Sequence, residues 1–173
     1  MISDHIFVLS SEGKENLIEL GFRENKITIS GAAVSEQYFG KTKKFKREYD
    51  LLFVGRLNKT KGIYDALEVL KKVKRNFKNV KMAIVGSCAD SELVKINSYI
   101  SKNKLNKNFY YLGYISNEVK NRLMRATPIL LAPSHEEGFG IGVLEGIANG
   151  MKIVTYDLSV YKIIFDKYKD RII

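Results

Sequence analysis

The sequence predicts an α/β fold in which a parallel sheet is covered on both faces by helices. Three observations carry this expectation. Short apolar runs alternate with longer amphipathic stretches from residue 6 to residue 155, as expected of strands buried between helices. Glycines follow several of those runs, where the chain leaves a strand and turns. Residues 129–155 read strand, glycine-rich turn, helix, strand in one stretch. Right-handed crossovers between such strands give a Rossmann-like three-layer structure. Ligands in such sheets bind at the carboxyl ends of the strands.

Residues 6–9 are expected to form a strand, and 12–20 a helix closed by Gly21. A second short strand follows over 26–29. Residues 39–47 hold Lys41, Lys43, Lys44, Lys46 and Arg47 and read as an exposed connector. Residues 51–54 give a buried strand. Over 64–77, Leu67, Leu70, Val73 and Phe77 recur at three-to-four spacing with lysines opposite, which predicts a helix. The series continues with strand 81–85, helix 91–102 and strand 109–112. Ser116 or Asn117 caps a helix over 117–125. Strand 129–132, helix 140–149 and strand 153–155 complete it.

Composition narrows the function classes. The length of 173 residues and a hydrophobic content of 45% suit one domain with a real core. Cys88 stands alone and has no partner in the chain for a disulfide, which points to a reducing cytoplasm. No apolar run reaches the roughly 18 residues of a spanning helix. Net charge is +10, which fits solvated helix faces, a phosphorylated ligand, or an anionic membrane face. The basic residues are spread out and no aromatic-basic or Cys/His finger pattern accompanies them, which disfavours nucleic acid.

Four loops follow strands and are expected to open on one edge of the sheet. The first, GRLNKTKG at 55–62, offers Arg56 and Lys61 beside glycines. Arg presents a planar fork to phosphate oxygens and Lys a movable point charge. The second and third carry Gly86 and Gly113. The fourth belongs to PSHEEGFGIGVLEGIANG at 133–150, with Glu137 and, eight residues later, Glu145. A helix starting after such a turn aims unpaired N–H groups at an anion. The carboxylates accept from hydroxyls. A pocket with both features suits a nucleotide sugar. Glu137 has the alternative of capping the next helix, and Glu145 of facing solvent. His135 reads as a loop or core residue. There is no DxD, HExxH or Cys/His cluster, so no metal is expected. The absence of GxGxxG and GxxxxGK[ST] argues against dinucleotide oxidoreductases and P-loop NTPases.

These residues resemble the retaining glycosyltransferases of the GT-B fold. FVGRLNKTKG at 53–62 is similar to their phosphate-binding loop, and 133–157 to their E-x7-E segment with Glu137 and Glu145 as the two acids. FYYLGYIS at 109–116 and RATPILLAPS at 125–134 lie in the usual order between them. The resemblance implies the C-terminal, donor-binding lobe of such an enzyme, with UDP- or GDP-sugar as donor and no other cofactor. A hexosyl group would pass to an acceptor hydroxyl. Arg56 and Lys61 would hold the diphosphate, and with Glu137 form the catalytic set. Glu145 would accept from the ribose, and Glu137 from the donor sugar. The backbone of Phe139, Gly140 and Ile141 would meet sugar or phosphate. Gly55 belongs to the phosphate loop, and Gly86, Tyr114 and Ile115 would border the base. The expected division is 1–48 as the end of an N-terminal lobe with its connector, and 49–173 as the nucleotide-sugar domain, with further helices beyond it. The N-terminal lobe is then the missing partner, and the isolated chain is expected to transfer little. A non-catalytic module that binds a nucleotide or sugar phosphate and works with a partner chain is the alternative.

Overall fold

The computed structural model describes residues 4–35 and 46–173. Strand β1 (Ile6–Val8), helix α1 (Ser11–Glu19) and strand β2 (Ile27–Ile29) form a first unit, with β1 and β2 paired in parallel. Ser10 caps α1 by accepting from the Gly13 N–H at 3.1 Å. The main sheet follows with β3 (Leu51–Val54), α2 (Ile63–Asn76), β4 (Met82–Val85), α3 (Asp90–Lys102), β5 (Phe109–Gly113), α4 (Asn117–Ala126), β6 (Ile129–Ala132), α5 (Ile141–Ala148) and β7 (Lys152–Thr155). Its five strands are all parallel, in the order β5-β4-β3-β6-β7.

The core explains why the strands read as continuous apolar runs. Side chains alternate across a strand, and here both faces are covered. Leu51, Phe53, Met82, Ile84 and Leu131 point into one cluster with Ala66, Leu67 and Leu70 of α2 and Ile96 of α3. Leu52, Ala83, Val85, Leu130 and Ile153 point into the other, with Met124 of α4 and Val143 of α5. α2 is built for its place: Ile63, Ala66, Leu67 and Leu70 are fully buried, Asp65 lies in its first turn, and Lys74 and Arg75 lie in its last. Those charges complement the helix dipole.

Two phenols tie α2 to α3. Tyr64 donates to Glu92 Oε1 at 2.7 Å, and Tyr99 of α3 donates to Glu68 of α2. Burial and the accepting carboxylate push both phenols up to about 12. The fold therefore holds these protons more tightly than the unfolded chain, whose tyrosines titrate near 10. Stability from this source is intact below about pH 10 and falls as pH rises towards 12. Urea midpoints are expected to drop more steeply above about pH 10 for the chain than for its Tyr64→Phe, Tyr99→Phe variant.

The expected elements from residue 6 to 155 match the observed ones within one residue at either end. The tail differs. Helix α6 (Ser159–Phe165) and a 3-10 turn at Asp166–Tyr168 follow β7, and Ile172 bridges to Ile153. Val160, Tyr161 and Phe165 of α6 are buried. The connector lysines Lys41, Lys43 and Lys44 lie outside the described residues. The first unit touches the main domain at α6, where Ser159 Oγ donates to Glu12 Oε2 at 3.2 Å, and Ala32, just beyond β2, packs against the second core cluster.

Candidate functional site

Strand order fixes where a site can form. From β3 the chain moves to β4 on one side, and from β6 to β7 on the other, while β3 and β6 are neighbours. The loops leaving them diverge and open a crevice at the carboxyl edge. Residues 55–62 form one wall and 133–140 the other. The His135 N–H donates to the Thr60 carbonyl at 2.8 Å and joins the two walls.

The charged side chains meet there. Lys61 Nζ lies 2.6 Å from Glu137 Oε1, and Ser134 Oγ donates to the same oxygen at 2.9 Å. The Lys61 and Glu137 side chains are 24% and 17% exposed, so the pair is shielded without being sealed. Glu145 lies one helical turn into α5 and is buried, and Lys120 Nζ of α4 stands 2.7 Å from its Oε1. A cavity of about 590 Å³ takes in Gly55, Lys61, Lys120, Glu137, Phe139–Val143 and Glu145. The first turn of α5, entered from Gly140, lines it. Leading N–H groups of a helix lack intrahelical acceptors, so this wall attracts negative charge.

An adjoining cavity of about 580 Å³ shares Lys61, Glu137 and Gly138 with the first. The exposed Arg56 lines this second hollow, together with Glu12 and Asn16 of α1. Lys61 and Glu137 thus stand on the boundary between the two.

Gly86, Tyr114 and Ile115 lie on the same sheet edge but do not line the main cavity. Tyr114 is 87% exposed, and Ile115 packs into the second core cluster. Gly86 has a packing task. At φ +142, a Cβ placed on it would stand 1.9 Å from the Gly55 carbonyl oxygen. The solvent-facing alternative for Glu145 is overturned by its burial.

Sequence reasoning missed the parts played by Lys120 and Ser134 and the partners of His135. Lys120 was visible only as a helix residue, because its carboxylate partner lies 25 positions away. Ser134 follows a proline in a loop, which by itself suggests a turn residue, and here its hydroxyl donates to Glu137. His135 Nε2 stands 2.9 Å from Asp65 Oδ2, and the Tyr156 hydroxyl donates to Asp65 Oδ1 at 3.1 Å. This clamp holds the Glu137 turn against the start of α2. The Tyr161 ring lies against Gly140 at the cavity wall, and burial and the nearby Glu137 carboxylate push its phenol well above its usual range.

The Lys120–Glu145 pair has a measurable stability consequence. Lys120→Met strips a cation from a carboxylate whose side chain is only 10% exposed. A loss of about 2 to 4 kcal/mol in urea unfolding is expected, and Lys120→Met with Glu145→Gln should recover most of it.

Among the described residues no group of three or more His, Cys, Asp or Glu side chains could hold a metal ion. No described helix is long and apolar enough to cross a membrane.

A parallel α/β sheet with a cation-bearing crevice at its switch point has the geometry of the doubly wound folds, which bind ligands at that place. Residues 34–173 match the family model described as glycosyl transferases group 1. The chain belongs to that family. It is 32% identical over 110 residues to the poly(glycerol-phosphate) alpha-glucosyltransferase of Bacillus subtilis, covering 64% of this chain and 16% of that protein. It is 24% identical over 160 residues to the glycogen synthase of Mycobacterium tuberculosis, covering 91% and 38%. Among solved structures, Anabaena Alr3699/HepE in complex with UDP and glucose superposes with a TM-score of 0.78 at 15% identity, over 92% of this chain and 46% of that one. WaaG, a glycosyltransferase of lipopolysaccharide biosynthesis, gives 0.76 at 20% identity over the same shares. The fold is thus that of the GT-B glycosyltransferases. The chain spans less than half the length of each of these relatives.

Proposed function

We propose that this chain is the donor-binding part of a glycosyltransferase that moves a hexosyl group from a nucleoside diphosphate sugar to an acceptor hydroxyl, with retention. One observation carries the reading: Lys61, Glu137, Lys120, Glu145 and the first turn of α5 share one cavity at the switch point. In this reading Arg56, Lys61 and the α5 turn hold the diphosphate. Glu145 accepts from the ribose and Glu137 from the donor sugar. Gly86, Tyr114 and Ile115 flank the base from the neighbouring strand ends. The solved neighbour with UDP and glucose bound supports a uridine nucleotide as first choice.

The chemistry follows from charge. As the bond from the sugar's anomeric carbon to the diphosphate oxygen breaks, negative charge grows on the leaving group. Lys61 and the helix N-terminus line the same cavity and stabilise that charge. Before the donor arrives, Lys61 is neutralised by Glu137. A bound diphosphate would draw the ammonium towards itself and release the carboxylate to accept from sugar hydroxyls. The acceptor and its general orientation, worth about 7–11 kcal/mol, would come from a second lobe. The greater length of the relatives supports that division. The isolated chain would then bind donor and turn over little.

Calorimetric titration with UDP, GDP and ADP tests the proposal. Saturable heat with one diphosphate is expected, and Glu145→Ala should weaken that nucleotide about tenfold without weakening inorganic pyrophosphate. Silence with all three nucleotides, from a folded chain, would overturn it.

A further inference from the structure

Nine cations crowd the edge of the sheet opposite the site. They lie on three segments that reach the amino ends of the strands: 46–50 before β3, 74–81 between α2 and β4, and 102–108 between α3 and β5. These segments hold Lys46, Arg47, Lys74, Arg75, Lys78, Lys81, Lys102, Lys104 and Lys107 against only Glu48 and Asp50. That is seven of the chain's ten net positive charges. All but Lys74 are exposed.

The three segments form one surface. The Lys74 ammonium donates to the Lys104 carbonyl. Asn108 Nδ2 donates to the carbonyls of Lys78 at 3.0 Å and Val80 at 2.7 Å. The Lys81 N–H donates to Asp50 Oδ2 at 2.8 Å, and Arg47 binds the same carboxylate. Both nearby acids belong to the 46–50 segment, and Asp50 is already taken. Cations at helix ends relieve the α2 and α3 dipoles, but Lys46, Arg47, Lys78, Lys81, Lys104 and Lys107 lie outside those helices.

An apolar tip stands among them. Phe77 ends α2 and is 67% exposed, beside a hollow of about 530 Å³ lined by Arg47, Val73 and Lys78. An exposed aromatic ring flanked by Arg47 and Lys78 matches a lipid interface, where the ring enters the headgroup layer and the cations meet phosphates. Seven of the nine cations are Lys, compact point charges suited to a diffuse field of negative charge. We propose that this edge docks on an anionic membrane surface. Helix α2 has 14 residues, so docking there would hold the crevice about 21 Å above the lipid, open to soluble donor.

Co-sedimentation with vesicles of phosphatidylcholine, with and without about 30 mol% phosphatidylglycerol, tests this at about 0.1 M salt. Binding is expected only to the anionic vesicles. The variant Arg75→Glu, Lys78→Glu, Lys104→Glu should bind at least about 100-fold more weakly, since losing each basic residue near such a surface costs about a factor of five before the added repulsion of the new carboxylates. Phe77→Ser should weaken it severalfold. A charge-matched variant elsewhere, Lys26→Glu, Lys162→Glu, Lys167→Glu, should lose far less, and nucleotide binding should be unchanged in every variant. Equal losses in the two triple variants would overturn the proposal, because net charge alone would then account for the binding. Equal binding to neutral vesicles would overturn it too, as would single-stranded RNA displacing the chain from anionic vesicles at equal phosphate.

Discussion

The Arg56→Ala, Lys61→Ala double variant is expected to lose nucleoside diphosphate binding by at least about two orders of magnitude and to keep its fold. Each charge-assisted hydrogen bond to a phosphate is worth about 1.5–3 kcal/mol, so two give about 3–6 kcal/mol, or a factor of about 10² to 10⁴. Lys61 should carry the larger share, because it lines the main cavity while Arg56 is exposed on the adjoining one. The loop itself does not depend on either side chain. Its backbone is held by the Lys61 N–H donating to Asn58 Oδ1 at 2.9 Å and by the Leu57 N–H donating to the Ser87 carbonyl at 2.9 Å. In the variant Glu137 still accepts from Ser134. Calorimetry reads the affinity, and urea unfolding reads the fold. Unchanged affinity in a folded variant would show that these cations do not hold the diphosphate.

Much of this arrangement was legible because parallel sheets are regular. Every loop that follows a strand opens on the same edge, so a basic loop at 55–62 and an acidic turn at 133–145 could be placed together without knowing the strand order. The order itself was not legible. Only the pairing of β3 with β6 brings Lys61 to Glu137 across 76 positions. Were β3 flanked by β7 instead, the same sequence pattern would have separated them. Lys120 was hidden for a related reason. A lysine near the start of a capped helix looks like a solvated charge until the packing of α4 beside α5 gives it a buried carboxylate. Gly86 carries a constraint that the strand pattern does not reveal. A glycine after a strand suggests room for a ligand, and this one also makes room for the Gly55 carbonyl. The tail carried a signal that went unread: Val160, Tyr161, Ile164 and Phe165 recur at helical spacing, and three of them are buried in α6.

Gly62→Ala is expected to cost more stability than any surface change in the molecule, although residue 62 lies in a loop. Gly62 caps α2 in the left-handed region at φ +71 and ψ 32, a conformation that costs an L-residue about 1–2 kcal/mol. The larger penalty is steric. An added Cβ would stand 1.8 Å from the Pro133 carbonyl oxygen and 3.0 Å from the proline Cγ. Neither neighbour is the free end of a side chain, so the two walls of the crevice must part. That separation strains the backbone bond from His135 to Thr60 and draws Lys61 away from Glu137. Strain of this kind reaches the upper tail of single-residue effects, about 3–5 kcal/mol, which for a chain of this size lowers Tm by about 10 °C or more. Nucleotide affinity should fall with it, because the cation and the carboxylates no longer share one cavity. Gly138→Ala is the matched control: it lies in the same crevice, and an added Cβ there meets nothing within 4 Å. Its Tm should hold within about 2 °C of the parent. Equal melting temperatures for the two variants would mean that the close approach of residues 62 and 133 does not build the site.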